Sequence, residues 1–295
     1  MTTNRLLTTL FRAVAAENFS LATSAALELC KAEETKGHHA AARQLRGALK
    51  GTSGGAVTSH RAGEFLSSAL VRLENSVSWD SVVLAPSARI ELDGVVKEWN
   101  RASELRRRGI FPRSKLLFHG PPGCGKSLTA QALGSALDLP VYLVRFDAVI
   151  GAFLGQTAIH LRQLFHFAET TPCVLLLDEL DALGKRRGNP LDVGELDRIV
   201  ISLLQELEHA QPMGVVVATT NLATHLDDAL WRRFDLDIPF NRPSKLTLRA
   251  FVNGLSKKYD SKFSKEVVDR AVGAPSFAEA EKMAVAEVRR QIISS

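Results

Sequence analysis

Cysteine is scarce in this chain of 295 residues: there are three, Cys30, Cys124 and Cys173, with no CxxC spacing between any two. So odd and scattered a set argues against a disulfide framework or a thiolate metal site, and fits a reducing compartment. Long apolar runs are lacking as well. No uncharged stretch reaches the ~18 residues of a membrane span, and the N-terminus has no secretory apolar core. A cytoplasmic protein with no membrane segment is the expectation. Residues 1 to 16, with Arg5, Arg12, several threonines and no acid, share the composition of an organellar transit peptide, but the helical pattern runs on unchanged through Glu17, Glu28 and Glu33. Fixed-period repeats and low-complexity tracts are absent too, which excludes solenoids and arrays. Nor is there a block of one charge. The net charge of +5 comes from scattered clusters, Arg106 to Arg108, Lys185 to Arg187, and Arg289 with Arg290, interleaved with acids. Such a balance permits nucleic acid as a partner without requiring it.

What is present, 45% hydrophobic and 23% charged residues, is the composition of a globular protein of about two compact units. Leu6, Leu7, Leu10, Phe11 and Val14 recur at helical steps, and Leu21, Ala25, Leu27 and Leu29 begin a similar stretch, so residues 1–50 are expected to form a small N-terminal helical domain. Gly51 to Ser59 reads as a flexible linker, and a connecting helix is expected from Arg61 to Leu73, together spanning 51–79. From 80 to 242 short β-rich runs alternate with helical stretches. Leu116 to His119, Val141 to Phe146, Cys173 to Leu177, Val215 to Thr219 and Leu236 to Phe240 are the strand candidates. This alternation predicts a large α/β domain, a parallel sheet with helices on both faces. Residues 243–295 turn helical again as a small C-terminal helical domain, with Ser276 and Glu279 spaced as a capping box.

Between the first of those strands and a helix stands "GPPGCGKS", which satisfies GxxxxGK[ST] in the context that gives the motif its meaning. Gly120, Gly123 and Gly125 let the backbone curl so that successive N–H groups face an anion, and the helix N-terminus adds partial positive charge. Lys126 can then reach the β- and γ-phosphates of ATP and Ser127 can coordinate Mg²⁺. Pro121, Pro122, Cys124 and Leu128 complete the cofactor-binding stretch. The fold class is thus a P-loop NTPase sheet. A dinucleotide fingerprint fits less well, because Leu128 falls where that motif needs a small residue. Farther on, "CVLLLDELDAL" carries Asp178 and Glu179 to the C-terminal end of an apolar strand, the sheet edge at which α/β folds place ligands. Asp178 suits the metal, and Glu179 suits the proton of an attacking water.

In this order the motifs resemble the AAA family of AAA+ ATPases, over about residues 80 to 293. "VVVATTN" is similar to the family's sensor strand, which implies that Asn221 bonds the attacking water or the γ-phosphate. "LDDALWRRFD" is similar to the second region of homology, which implies that Arg232 and Arg233 are arginine fingers acting in the neighbouring subunit; without that context, paired arginines read as a surface ion-pair cluster. "FLGQT" resembles the first pore loop, so Phe153 and Leu154 are expected to grip an extended polypeptide, although the family usually has an acid at Gln156. Cys124 replaces a common threonine, with sensitivity to thiol reagents as the expected consequence. Ala278 stands where other AAA+ clades carry a second sensor arginine.

The resemblance implies a homo-oligomer, a hexameric ring, that hydrolyses ATP with Mg²⁺ to remodel, unfold or disassemble a protein, recruited through the N-terminal helical domain and the pore loop. No HExxH occurs among the eight histidines, so degradation would need a separate peptidase. Three alternatives differ in class. A nucleic-acid-directed loader or initiator is favoured by Arg106 to Arg108 and Arg113, and disfavoured by Ala278 and the aromatic pore loop. A monomeric small-molecule kinase has no use for Arg232 and Arg233, and a static nucleotide sensor has none for Glu179.

Overall fold

The computed structural model describes residues 26, 28–32, 64–74, 77–150, 156–183, 193–222 and 228–294. The chain divides into two compact units, residues 1–65 and 66–295. Apart from Glu64 and Phe65, the described part of the first is a short helical stretch around Leu29 and Cys30, both buried. The rest of the expected N-terminal helical domain and the Gly51–Ser59 linker lie outside the described residues.

The second unit is built on six strands: β1 (Leu70–Leu73), β2 (Lys115–His119), β3 (Val141–Val144), β4 (Val174–Leu177), β5 (Val215–Thr220) and β6 (Leu236–Pro239), in the order β1-β3-β4-β5-β2-β6. All five predicted strands are present, and β2 to β6 pair in parallel. The connecting helix expected to reach Leu73 instead ends at position 69, and Leu70–Leu73 pair antiparallel with β3 at the sheet edge. The sheet therefore takes residues from well before position 80, where the sequence put the start of the large domain. The reason is tertiary: apolar residues at 65, 66, 69, 70 and 73 match a helical face, but backbone pairing with Val141–Val144 decides the state of the last four.

The sheet is apolar on both faces, as parallel strands between two helical layers must be. Leu116 and Phe118 of β2, Val174 and Leu176 of β4, and Val215 and Val217 of β5 form one core with Leu92 and Val95 of α1 (Pro86–Asn100) and Ala130 and Leu133 of α2 (Lys126–Leu137). Pro86 opens α1, where its missing N–H costs nothing. The alternate residues Leu117, Leu175, Leu177, Val216 and Ala218 are also buried, on the opposite face. There Tyr142 of β3 meets Phe167 of α3 (Gln156–Thr170) edge to face at 5.1 Å, and α3 packs on α4 (Val193–His209). Each such leucine contributes roughly 1.5–3 kcal/mol by leaving water.

The C-terminal residues form three helices, α5 (Lys245–Lys258), α6 (Lys265–Val272) and α7 (Phe277–Ser294), around Leu248, Val252, Ala271 and Ala280. Each starts on a serine whose Oγ accepts a first-turn N–H: Ser244 from Thr247, Ser264 from Val267 and Ser276 from Glu279. The last is the predicted cap. Among the described residues no helix is long and apolar enough to cross a membrane.

Candidate active site

Because β2, β4 and β5 run in parallel, their C-terminal ends deliver three sets of side chains to one edge. After His119 the chain enters the glycine loop, where Gly120, Gly123 and Gly125 all hold positive φ, 136°, 74° and 95°. Gly120 has a second constraint, since a Cβ there would lie 2.1 Å from the Phe240 carbonyl oxygen beyond β6. Only glycine permits both the turn and the approach. Gly125 caps α2, whose first residue is Lys126. Pro121 and Pro122 form the loop's outer arm, and Leu128 is half exposed on the first turn of α2.

Lys126 is buried, yet its contacts are three neutral oxygens: Nζ donates to the carbonyls of Gly120 at 2.7 Å and Pro121 at 2.9 Å and to Asn221 Oδ1 at 2.8 Å. Burial lowers its pKa below the usual lysine value, opposed through space by Cys124, Asp178, Asp181 and Glu179. A buried ammonium met only by neutral oxygens, at the positive end of a helix, is a site complementary to an anion. Beside it, the Ser127 hydroxyl donates to Asp178 Oδ1 at 2.8 Å. A hydroxyl and a carboxylate adjoining an anion site are the hard oxygen donors that Mg²⁺ takes when it shares its shell with phosphate. Among the described residues no three His, Cys, Asp or Glu side chains cluster as a self-sufficient metal cage.

The structure thus joins Ser127 to Asp178 and Lys126 to Asn221, four residues predicted from three separate motifs. It adds two that sequence reasoning missed. Asp181, buried two residues past Glu179, accepts from the Asn221 backbone N–H at 3.0 Å and from Thr220 Oγ1 at 3.4 Å, which fixes the end of β5. Thr219 Oγ1 donates to Asp178 Oδ1 at 2.5 Å and accepts from the Glu179 N–H at 2.9 Å. Glu179 itself is exposed, at φ 55°, left-handed for a residue with a side chain. The "DELDAL" and "ATTN" strings contained both signals, but only the β4–β5 register, Leu177 opposite Ala218, brings them together.

Other expectations have different outcomes. Cys124 is buried and its thiol is pushed up by burial, with Sγ turned toward the Pro122 carbonyl at 3.8 Å. The expected thiol sensitivity is therefore corrected, because a covered, protonated sulfur is a poor nucleophile. Cys173, pushed up to about 12 by burial, is equally inert. Arg232 is exposed, whereas Arg233 donates to Glu208 of α4 at 3.1 Å. Phe153 and Leu154 lie outside the described residues. The first turn of α7 touches the loop: Ala278 N–H donates to the Gly123 carbonyl at 3.2 Å, and a Cβ on Gly123 would lie 2.8 Å from Ser276 Oγ.

His119 precedes the loop with Nε2 buried and without a hydrogen bond, 3.6 Å from Asp237 Oδ2, its ring edge-on to Trp231 at 4.9 Å. Burial holds its pKa below the ordinary histidine value, Asp237 opposes this and the Lys126 charge adds to it. Below pH ~6.5 the unfolded chain therefore binds more protons than the native one, and stability falls as pH falls toward the folded value. Thermal unfolding between about pH 5 and 7 is expected to show that decline, and His119→Gln to flatten it.

Comparison with known proteins agrees with this geometry. Residues 116–242 match the family model described as "ATPase family associated with various cellular activities (AAA)". An uncharacterized AAA family ATPase of Sinorhizobium fredii, y4kL, is 41% identical over 214 residues, covering 72% of this chain and 64% of the relative. The ATP-dependent zinc metalloprotease FtsH of Acaryochloris marina is 34% identical over 218 residues, 70% of this chain and 33% of the relative. The chain thus spans less than two thirds of the length of either. Among solved structures, the crystal structure of the FIGL-1 AAA domain superposes with a TM-score of 0.61 over 79% of both chains at 20% identity, a likeness of fold.

Proposed function

Because this chain belongs to the AAA family of ATPases, we propose that it binds ATP with Mg²⁺ and hydrolyses it, as a homo-oligomeric ring of six, to remodel, unfold or disassemble a protein. The observation that carries the reading is the buried Lys126 ammonium with only neutral oxygens in contact, between the glycine loop and Asn221.

In this reading the loop amides from Gly120 to Ser127 wrap the phosphates, and Lys126 exchanges its carbonyl contacts for phosphate oxygens. Ser127 and Asp178 hold Mg²⁺, which supplies positive charge for the phosphoryl oxygens. Glu179 takes the proton of the attacking water. Asn221 orients that water or the γ-phosphate, with its backbone fixed by Asp181. Members of the family generally form rings and act on proteins, and Arg232 and Arg233 are assigned to the neighbouring subunit's site. Phe153 and Leu154 grip the polypeptide, and residues 1–50 recruit it. The FtsH relative is a zinc metalloprotease by name, but no HExxH occurs in this sequence.

The test pairs phosphate release from ATP with mass by light scattering, with and without Mg-ATP. Hydrolysis together with a ring-sized mass is expected, and Lys126→Ala should weaken ATP binding by about 10²-fold. A chain that stays monomeric and releases no phosphate would refute the reading.

A further inference from the structure

We propose that Thr219 is a positioning residue that sets both acids at the end of β4: its one hydroxyl orients the Asp178 carboxylate and holds the Glu179 peptide in the turn from which that side chain acts. The inference deepens the hydrolytic reading above and rests on it for the role of Glu179.

A threonine hydroxyl has one proton to donate and lone pairs to accept with. Here both capacities are in use. The proton goes to Asp178 Oδ1 at 2.5 Å, within the range of a charge-assisted O–H···O⁻ bond, and the oxygen receives the Glu179 N–H at 2.9 Å. Thr219 is 1% exposed, so water cannot take over either bond. Glu179 needs the anchor. Its φ of 55° lies in the left-handed region that side-chain-bearing residues seldom adopt, and its amide has left the β4 ladder. Asp178 has two hydroxyl donors, Ser127 and Thr219. When Ser127 serves the metal, Thr219 remains to keep the carboxylate in place.

The register makes this a property of the sheet. Leu177 stands opposite Ala218, so the next residues along the parallel pair are Asp178 and Thr219. The strand ends in Thr219 and Thr220, Asn221 follows, and each of the three makes a contact with the Asp178–Asp181 turn or with Lys126. Through Thr219, a movement of β5 against β4 reaches both acids at once.

Two variants of the full chain separate this role from a packing role. Thr219→Val keeps the shape and the strand preference and removes both bonds; Thr219→Ser keeps both bonds and removes a methyl group. Thr219→Val is expected to lower kcat by about 10- to 100-fold while leaving KM for Mg-ATP within about threefold, the signature of a misplaced catalytic group. Hydrogen exchange at the Glu179 amide should become about tenfold faster, read on the protein without nucleotide. Thr219→Ser should restore both to within about threefold of the parent chain. Parental kcat and exchange in Thr219→Val, or a Thr219→Ser variant as impaired as Thr219→Val, would overturn the proposal. If the parent chain hydrolyses no ATP, the hydrolytic reading fails on its own account. The Glu179 amide then decides alone: faster exchange in Thr219→Val, restored by Thr219→Ser, supports the anchor, and unchanged protection overturns it.

Discussion

Glu179→Gln is expected to retain ATP with an affinity within about threefold of the parent chain while turnover falls by about 10²- to 10⁴-fold, the range for loss of a general base. The two effects separate because the groups that would hold the phosphates follow β2 and β5, whereas the group that would take the proton follows β4. Lys126 opens α2 after the loop that follows β2, and its ammonium donates to the Gly120 and Pro121 carbonyls and to Asn221 Oδ1, not to Glu179. Glu179 follows β4, exposed, and its backbone is fixed by Thr219. An amide has the size of the carboxylate and leaves the backbone anchor intact, so only basicity is lost. Phosphate release and the binding of a fluorescent ATP analogue, measured on the same preparation, check the two halves. Undiminished turnover would remove Glu179 from the chemistry, and lost binding would mean that the exposed acid shapes the loop.

The same division explains how much of this molecule is legible in its sequence. The glycine loop is local: its positive φ angles, the α2 N-terminus and the lysine are all encoded within Gly120 to Ser127, and the motif exposes them directly. The buried strands are nearly as plain, because a parallel sheet covered on both faces writes itself as short continuous apolar runs such as Val174–Leu177. What the sequence does not expose is contact between segments about forty residues apart. Thr219 and Asp181 are ordinary residues in their own strings and acquire meaning only when β4 lies beside β5 in one particular register. The Leu70–Leu73 strand failed for a related reason, since its apolar spacing satisfies a helix and its partner β3 lies some seventy positions away. Cys124 failed differently. The motif identifies it only as a substitute for a common threonine with a thiol to react, while the fold packs it against the core and burial pushes its pKa up.

Arg232→Ala is expected to leave ATP binding intact and to lower hydrolysis by about 10³-fold or more, the scale of an arginine supplied in trans. The two adjacent arginines are not equivalent. Arg233 donates to Glu208 within its own chain, a half-exposed pair worth at most about 1 kcal/mol. Arg232 is exposed, one residue beyond Trp231, whose ring is packed against His119 at the mouth of the glycine loop. Exposed as it is, Arg232 is the more available of the two proposed fingers for a neighbour's phosphates. Arg233→Ala should cost less, because Arg233 must first release Glu208 to take part. Mixing decides between cis and trans. Arg232→Ala subunits have an intact phosphate loop and Lys126→Ala subunits an intact arginine, so neither alone should hydrolyse ATP, whereas a mixed ring contains junctions with both. Recovered phosphate release in the mixture, absent from either parent, would fix Arg232 as a group acting across the interface. No recovery, with ring assembly intact by light scattering, would place it in its own subunit's site or outside the chemistry altogether.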